Sequence, residues 1–150
     1  MTSLARHDAG HTQGWEQRPD AIRFCTHCGA VTDDAPQRVC TSCEWGVVLT
    51  CARVDAPRPG APFLIVLTDL RVSAASATTE PLFGAPDEVV GTNVLDLLRG
   101  DTALPRQIMR AAMGSTRGVT TWTRTEEHGR PHKTRIAACT MPPGALVVLS

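Results

Sequence analysis

Four cysteines fall in two pairs, Cys25-Thr-His-Cys28 and Cys40-Thr-Ser-Cys43, with eleven residues between the pairs. A two-residue gap lets a tight turn bring both thiolates of a pair onto one ion, and the connecting loop is long enough to return as a hairpin. The spacing predicts two knuckles around one tetrahedral site. Gly29 follows the first pair and supplies permissive backbone; Glu44-Trp45-Gly46 does the same after the second. Four soft sulfurs favour Zn²⁺, or iron as a one-iron site, over Mg²⁺ or Ca²⁺. With all four positions taken by thiolate no place is left for a catalytic water, so the expected role is structural. Two disulfides, buried free thiols and a thioredoxin-like pair are the competing readings. The last needs a helix opening at the pair, whereas Gly29-Ala-Val-Thr-Asp-Asp-Ala-Pro36 reads as a turn between short strands. His27 is expected to face solvent between two ligands, and Cys51, outside the pattern, to act as a small strand hydrophobe.

A chain of 150 residues accommodates a metal-stapled mini-domain plus one ordinary domain of about 90 residues. No run of about 18 apolar residues is present, and His7, Asp8, His11 and Glu16 occupy the region where a signal peptide would be apolar. The expectation is a cytoplasmic protein with no membrane contact. Fifteen basic residues balance fifteen acidic ones, which argues against a protein whose main task is to hold a phosphate backbone. The ribbon is neutral as well, Arg23, Arg38 and Arg53 being matched by Asp33, Asp34 and Glu44. Between Arg99 and Arg135, by contrast, eight Lys or Arg residues face the acids Asp101, Glu126 and Glu127. A solvated face explains such a surplus more simply than a docking surface for an acidic partner.

Residues 1–20 lack periodicity and read as a flexible arm, with Trp15 as its one anchor. The zinc ribbon is placed at 21–53, where Phe24 and Trp45 are available to pack beside the metal. Three prolines between Asp55 and Pro62 forbid a regular helix, so 54–61 reads as a Pro-rich, semi-rigid linker and 62–150 as the second domain. There, Phe63–Leu67 and Arg71–Ala75 form a hairpin turning at Thr68-Asp69-Leu70. Short helical turns follow through Leu82-Phe83-Gly84 and Pro86–Gly91. A longer helix is expected from Asp101 or Thr102 to Met113, with Leu104, Ile108, Met109, Ala112 and Met113 at helical spacing and Gly114 as its stop. Strands at Val119–Thr125, Lys133–Thr140 and Ala145–Leu149 close the chain, joined by Glu127-His-Gly-Arg130 and Met141-Pro-Pro-Gly144. Strands around a helical block predict an α+β fold, one antiparallel sheet with short helices on one face, preceded by the ribbon.

These residues resemble a PAS domain, the small sensory module of signalling proteins. Arg71-Val-Ser-Ala-Ala-Ser-Ala-Thr-Thr-Glu-Pro-Leu-Phe-Gly84 is similar to that family's R-I-V-x-x-N-x-A-A-E-x-L-F-G segment. Glu88-Val-Val-Gly-Thr-Asn-Val-Leu-Asp-Leu-Leu98 is similar to its E-E-L-I-G-x-S-L-x-D-L-L continuation. The resemblance spans about residues 62–150, with Ser76 where the family often has Asn. It implies a sensory or docking module. The adduct-forming cysteine of flavin-binding members is missing, since Val94 follows Gly91-Thr-Asn93, and the histidines His128 and His132 fall in or beside a turn. Neither flavin nor haem is therefore expected. A small apolar ligand between sheet and helices would meet Ile65, Leu82, Phe83, Leu95, Leu98, Ile108, Met109, Trp122 and Ile136; packing of the core explains the same residues, and Trp122 suits the outer sheet face equally.

No Gly-rich phosphate loop, HExxH or GxSxG motif is present, and Glu126-Glu127-His128 precedes Gly129 in a turn, so no catalytic residues are assigned. The leading reading is a non-enzymatic signalling or regulatory protein whose structural zinc ribbon contacts a protein partner, with a homodimer through the PAS-like domain as a further expectation. A transcription regulator that meets nucleic acid through the ribbon is the alternative, which the ribbon's neutrality disfavours. A third reading, a redox or metal sensor, releases zinc on thiolate oxidation with help from an exposed Cys51.

Overall fold

In the computed structural model, the structure describes residues 20–32, 38–115, 117–126, 129–140 and 143–150. The arm predicted at 1–20, with Trp15, lies outside them except for Asp20, as do residues 33–37 of the loop between the cysteine pairs. Eight strands form one antiparallel sheet: β1 (Ala21–Cys25), β2 (Val31–Thr32), β3 (Val48–Ala52), β4 (Phe63–Val66), β5 (Val72–Ala75), β6 (Val119–Thr123), β7 (His132–Thr140) and β8 (Gly144–Leu149). Their spatial order is β2-β1-β3-β7-β8-β4-β5, with β6 also on β7. The helices are α1 (Glu80–Phe83), α2 (Pro86–Val89) and α3 (Leu104–Ala112), with 3-10 turns at Arg53–Asp55, Ala77–Thr79 and Val94–Asp96.

The long strand β7 organises this sheet. Its β8-facing edge is fully used, with pairs running from Thr134↔Leu149 to Cys139↔Gly144. The opposite edge is shared: β6 takes His132 to Ile136, and β3 takes Cys139 and Thr140 through Cys51↔Cys139 and Thr50↔Thr140. Composition changes at the proline segment 54–61, but backbone pairing runs across that boundary. The ribbon strands and the PAS-like strands belong to one sheet.

Side chains alternate across a strand, so each face of the sheet gathers its own core. On the inner face Leu64, Val66, Val72, Ile136, Val147 and Leu149 meet Leu104, Ile108, Ala111 and Ala112 of α3, together with Val89, Val94 and Leu98. Helix α3 lies across β7 and β8. It starts later than the apolar spacing suggests because Asp101 Oδ1 accepts the Ala103 amide at 2.9 Å, holding residues 101–103 in a turn, and Pro105 suits the first turn of the helix. Gly114, at φ +100°, stops it.

On the outer face, Phe63 and Ile65 of β4, Leu146 of β8 and Cys139 of β7 pack against Ile22 and Phe24 of β1 and Leu49 and Cys51 of β3. Phe24 and Phe63 meet edge to face, with ring centroids 5.6 Å apart. The sheet thus curls until its ribbon end covers part of its own back.

The nine candidate pocket or core residues divide accordingly. Leu98, Ile108 and Ile136 are buried in the inner core, with Leu82, Phe83 and Leu95 packed partly against it. Ile65 is equally buried but on the outer face, under the ribbon, because the alternation of β4 turns it away from the helices. Met109 and Trp122 stand outside both cores. Met109 is on the solvent side of α3, where Ala111 instead completes the buried stripe, and Trp122 points from the outer face of β6 with 61% of its surface exposed.

Candidate metal centre

Both cysteine pairs use the same local geometry. The residue after the second cysteine of each pair adopts a left-handed conformation, Gly29 at φ +76° and Glu44 at φ +65°. Its amide donates to the carbonyl of the first cysteine at 3.0 Å, Gly29 to Cys25 and Glu44 to Cys40. Glu44 itself, a side-chain-bearing residue, therefore makes the turn that the sequence assigned more loosely to Glu44-Trp45-Gly46. Gly46 has another purpose: a Cβ there would collide with Cys25 Sγ and lie 2.8 Å from the His27 amide nitrogen. Its carbonyl accepts from the Cys40 amide at 2.9 Å, which ties one knuckle to the other.

The four sulfurs lie within 4.8 Å of one another. Cys25 Sγ is 3.6 Å from Cys43 Sγ, and Cys28 Sγ is 3.7 Å from Cys40 Sγ. A tetrahedron with metal–sulfur bonds of about 2.3 Å has edges of about 3.8 Å, so the donor set fits a four-coordinate Zn²⁺. Backbone amides aim at the sulfurs: His27 and Cys28 donate to Cys25 Sγ at 3.3 and 3.4 Å, and Ser42 donates to Cys40 Sγ at 3.3 Å. Such bonds favour thiolate. The amide of Cys43, followed by other contacts, brings the Cys40 thiol down to about 6, and the amide of Trp45 lowers Cys43. Desolvation of the sulfur within the cluster pushes Cys28 up to about 12 and raises Cys25. Protons held on the first pair must leave when an ion enters.

The first knuckle is also seated on the PAS-like segment. The His27 carbonyl accepts from the Ala77 amide at 2.8 Å, and Gly29 lies against the Phe63 ring, to which a Cβ would come within 3.4 Å. Thr26, buried, uses its Oγ1 to accept the Val47 amide at 3.1 Å. Ser76 accepts the Phe63 amide at 3.0 Å and shares a 2.8 Å hydrogen bond with Thr78, so its hydroxyl still makes a local bridge where the family often has Asn. His27 is half-buried and is not among the clustered donors.

Cys51 is fully buried, which removes the exposed thiol expected to aid zinc release in the redox reading. It faces Cys139 across the β3–β7 junction, and burial raises both thiols, Cys139 to about 12. Neither forms thiolate readily, so both serve as small apolar groups there. Sequence reasoning missed Asp55, a buried carboxylate in the proline segment. Arg135 donates to Asp55 Oδ1 from Nε at 2.9 Å and Nη2 at 2.8 Å, pinning that segment to the outer sheet face. Only the surplus of arginines could have hinted at its partner.

No protein-family model and no curated protein matches the chain. Among solved structures it is similar to the PAS domain of nitrogen regulation protein NR(II) from Vibrio parahaemolyticus, at 19% identity and a TM-score of 0.48, over 61% of this chain and 88% of that one. It is also similar to a domain of an HTR-like protein from Haloarcula marismortui, at 11% identity and a TM-score of 0.42, over 60% and 94%. Among the described residues no helix is long and apolar enough to cross a membrane.

Proposed function

We propose that this is a non-enzymatic signalling or regulatory protein of the cytoplasm, in which a PAS-like sensory or docking module carries a structural zinc ribbon that presents a surface to a protein partner. The observation behind this reading is the division of the ribbon's apolar residues. Ile22, Phe24, Leu49 and Cys51 are buried against the sheet, while Val39, Trp45 and Val47 are turned outward. Trp45 is 83% exposed at the tip of the second knuckle, and Val39 pairs with Val47 beside it. Zinc fixes the backbone that displays them, which is the work of a structural metal in a binding module. Four reduced thiolates suit a reducing compartment.

The shared sheet gives a route for a signal. A change in the inner core reaches β7 and β8, and β7 is hydrogen-bonded to β3 of the ribbon. Homodimerisation through the outer face would have to use the part that the ribbon leaves open. The test is crosslinking in cells followed by mass spectrometry, with wild type, Trp45→Ser and Trp122→Ala compared at equal zinc content. Specific proteins lost with Trp45→Ser but kept with Trp122→Ala support a ribbon-docked partner; an unchanged set of proteins in both variants overturns it.

A further inference from the structure

The basic surplus between Arg99 and Arg135 is not spread evenly over the molecule. Thr120 and Trp122 of β6, and Arg124 just past its end, are exposed on the outer face, and the cross-strand partners there are Arg135 opposite Thr120 and Lys133 opposite Trp122. Arg99 is bridged to Arg124 by reciprocal backbone hydrogen bonds of 2.8 Å, which sets a further arginine beside it. The indole of Trp122 is thus flanked by Lys133 across the ladder and Arg124 along the strand. Beyond Lys133 the surface dips into a groove of about 300 Å³ between the proline segment and the sheet, where Arg58 adds another cation. The acid lining that groove is Asp55, and both of its short contacts go to Arg135.

The ribbon covers Phe63, Ile65 and Leu146 of the outer face and stops short of this region. A solvated charged strand would not need a tryptophan at its centre, and a large exposed ring on an otherwise polar ladder has a cost in hydration. Flat aromatic surface set among cations on a sheet has the chemistry of a base-stacking platform: the ring takes a base, and the arginines and lysine take the phosphates on either side. An acidic peptide would satisfy the cations and leave the indole without a role. We infer that the open part of the outer sheet face, Trp122 with Arg99, Arg124 and Lys133, binds single-stranded nucleic acid. This site is distinct from the neutral ribbon and does not rest on the protein-docking role proposed for it.

The experiment is fluorescence anisotropy of the full, zinc-loaded chain with a labelled single-stranded 15-mer of mixed sequence, RNA and DNA in turn, at several salt concentrations. The expected result is salt-dependent binding that weakens about tenfold or more in Trp122→Ala, from the lost stacking. Arg124→Gln is expected to weaken binding and to lower the logarithmic salt slope by about one. Trp45→Ser should leave both unchanged. Trp122 and Arg124 are exposed, so zinc content and thermal midpoint in these variants should match wild type. Four outcomes overturn the proposal: no binding at low salt, binding blind to Trp122→Ala, binding abolished by Trp45→Ser, or equal binding of poly-glutamate, which would assign the face to an acidic protein.

Discussion

The two faces of this sheet are covered in different ways. The inner face is closed by α1 to α3 and the turns between them, all drawn from the stretch between β5 and β6, and apolar side chains fill most of the contact. The outer face is closed in part by a hairpin from the other end of the chain, whose own core is small and whose backbone turns on four cysteines. The first cover is built from helices; the second gathers four sulfurs at a spacing that fits an ion. The expected consequence is that losing an ion from those sulfurs would loosen the cover over Phe63 and Ile65.

The strongest way to break this comparison is to remove the ion. Cys28→Ser, or chelation of the wild type, should unfold the ribbon, since zinc binding and folding are one event in such units, with apparent binding energies on the order of 10 kcal/mol. Because the outer core is shared, the thermal midpoint of the remaining sheet should fall too, followed by circular dichroism alongside zinc content. A PAS-like transition that stays in place after zinc loss would show two independent covers. The same release should follow acidification, because thiols must be deprotonated to hold the metal and Cys28 without it sits near 12.

Truncation on either face sharpens the contrast. Phe63→Ala and Ile108→Ala remove fully buried side chains and should each destabilise by about 3–4 kcal/mol in denaturant melts. They should part in a second measurement, transfer of zinc to a chromogenic chelator: faster than wild type for Phe63→Ala, unchanged for Ile108→Ala. Equal rates would mean that the outer core does not support the metal site.

Smaller is the effect of Asp55→Asn, which leaves Arg135 without its anionic partner. Asp55 is buried but Arg135 is partly exposed, so the loss should be about 1–2 kcal/mol by denaturant titration, reduced from a fully buried pair by solvent around the guanidinium. A neutral result would show that the proline segment is held by its apolar contacts alone.

The smallest effect concerns pH at the seam between the covers. Cys51 and Cys139 have thiols raised by burial, so the folded state keeps their protons while the unfolded chain releases them. Their contribution is complete below the unfolded thiol value near 9 and is lost as pH rises toward the folded one. Each thiol should lower stability by about 1 kcal/mol between pH ~9 and ~10. Cys51→Ala with Cys139→Ala should flatten that slope; a slope unchanged by the double substitution would place the alkaline sensitivity elsewhere.

Much of this fold is legible in the chain because its signals are local. The hairpin of β4 and β5 follows from an apolar run ending at Thr68-Asp69-Leu70, and Gly114 marks the end of α3. Less legible is any property that depends on which face a side chain takes. Ile65 and Leu64 are equally apolar neighbours, yet they belong to different cores. Met109 fits the helical spacing as well as Ala111 does, yet Ala111 is buried and Met109 is turned to the surface.

The sequence by itself determined the four-cysteine cluster and the order of elements, since two cysteines separated by two residues can reach one ion whatever surrounds them. Tertiary structure alone decided that β3 pairs with β7, that a buried aspartate of the proline segment meets Arg135, and that the ribbon dries one part of the outer face while leaving Trp122 in water. Strand edges carry no address in their residue types. Any unpaired edge offers the same amides and carbonyls, and the curl of the whole sheet selects the strand that comes to lie beside it.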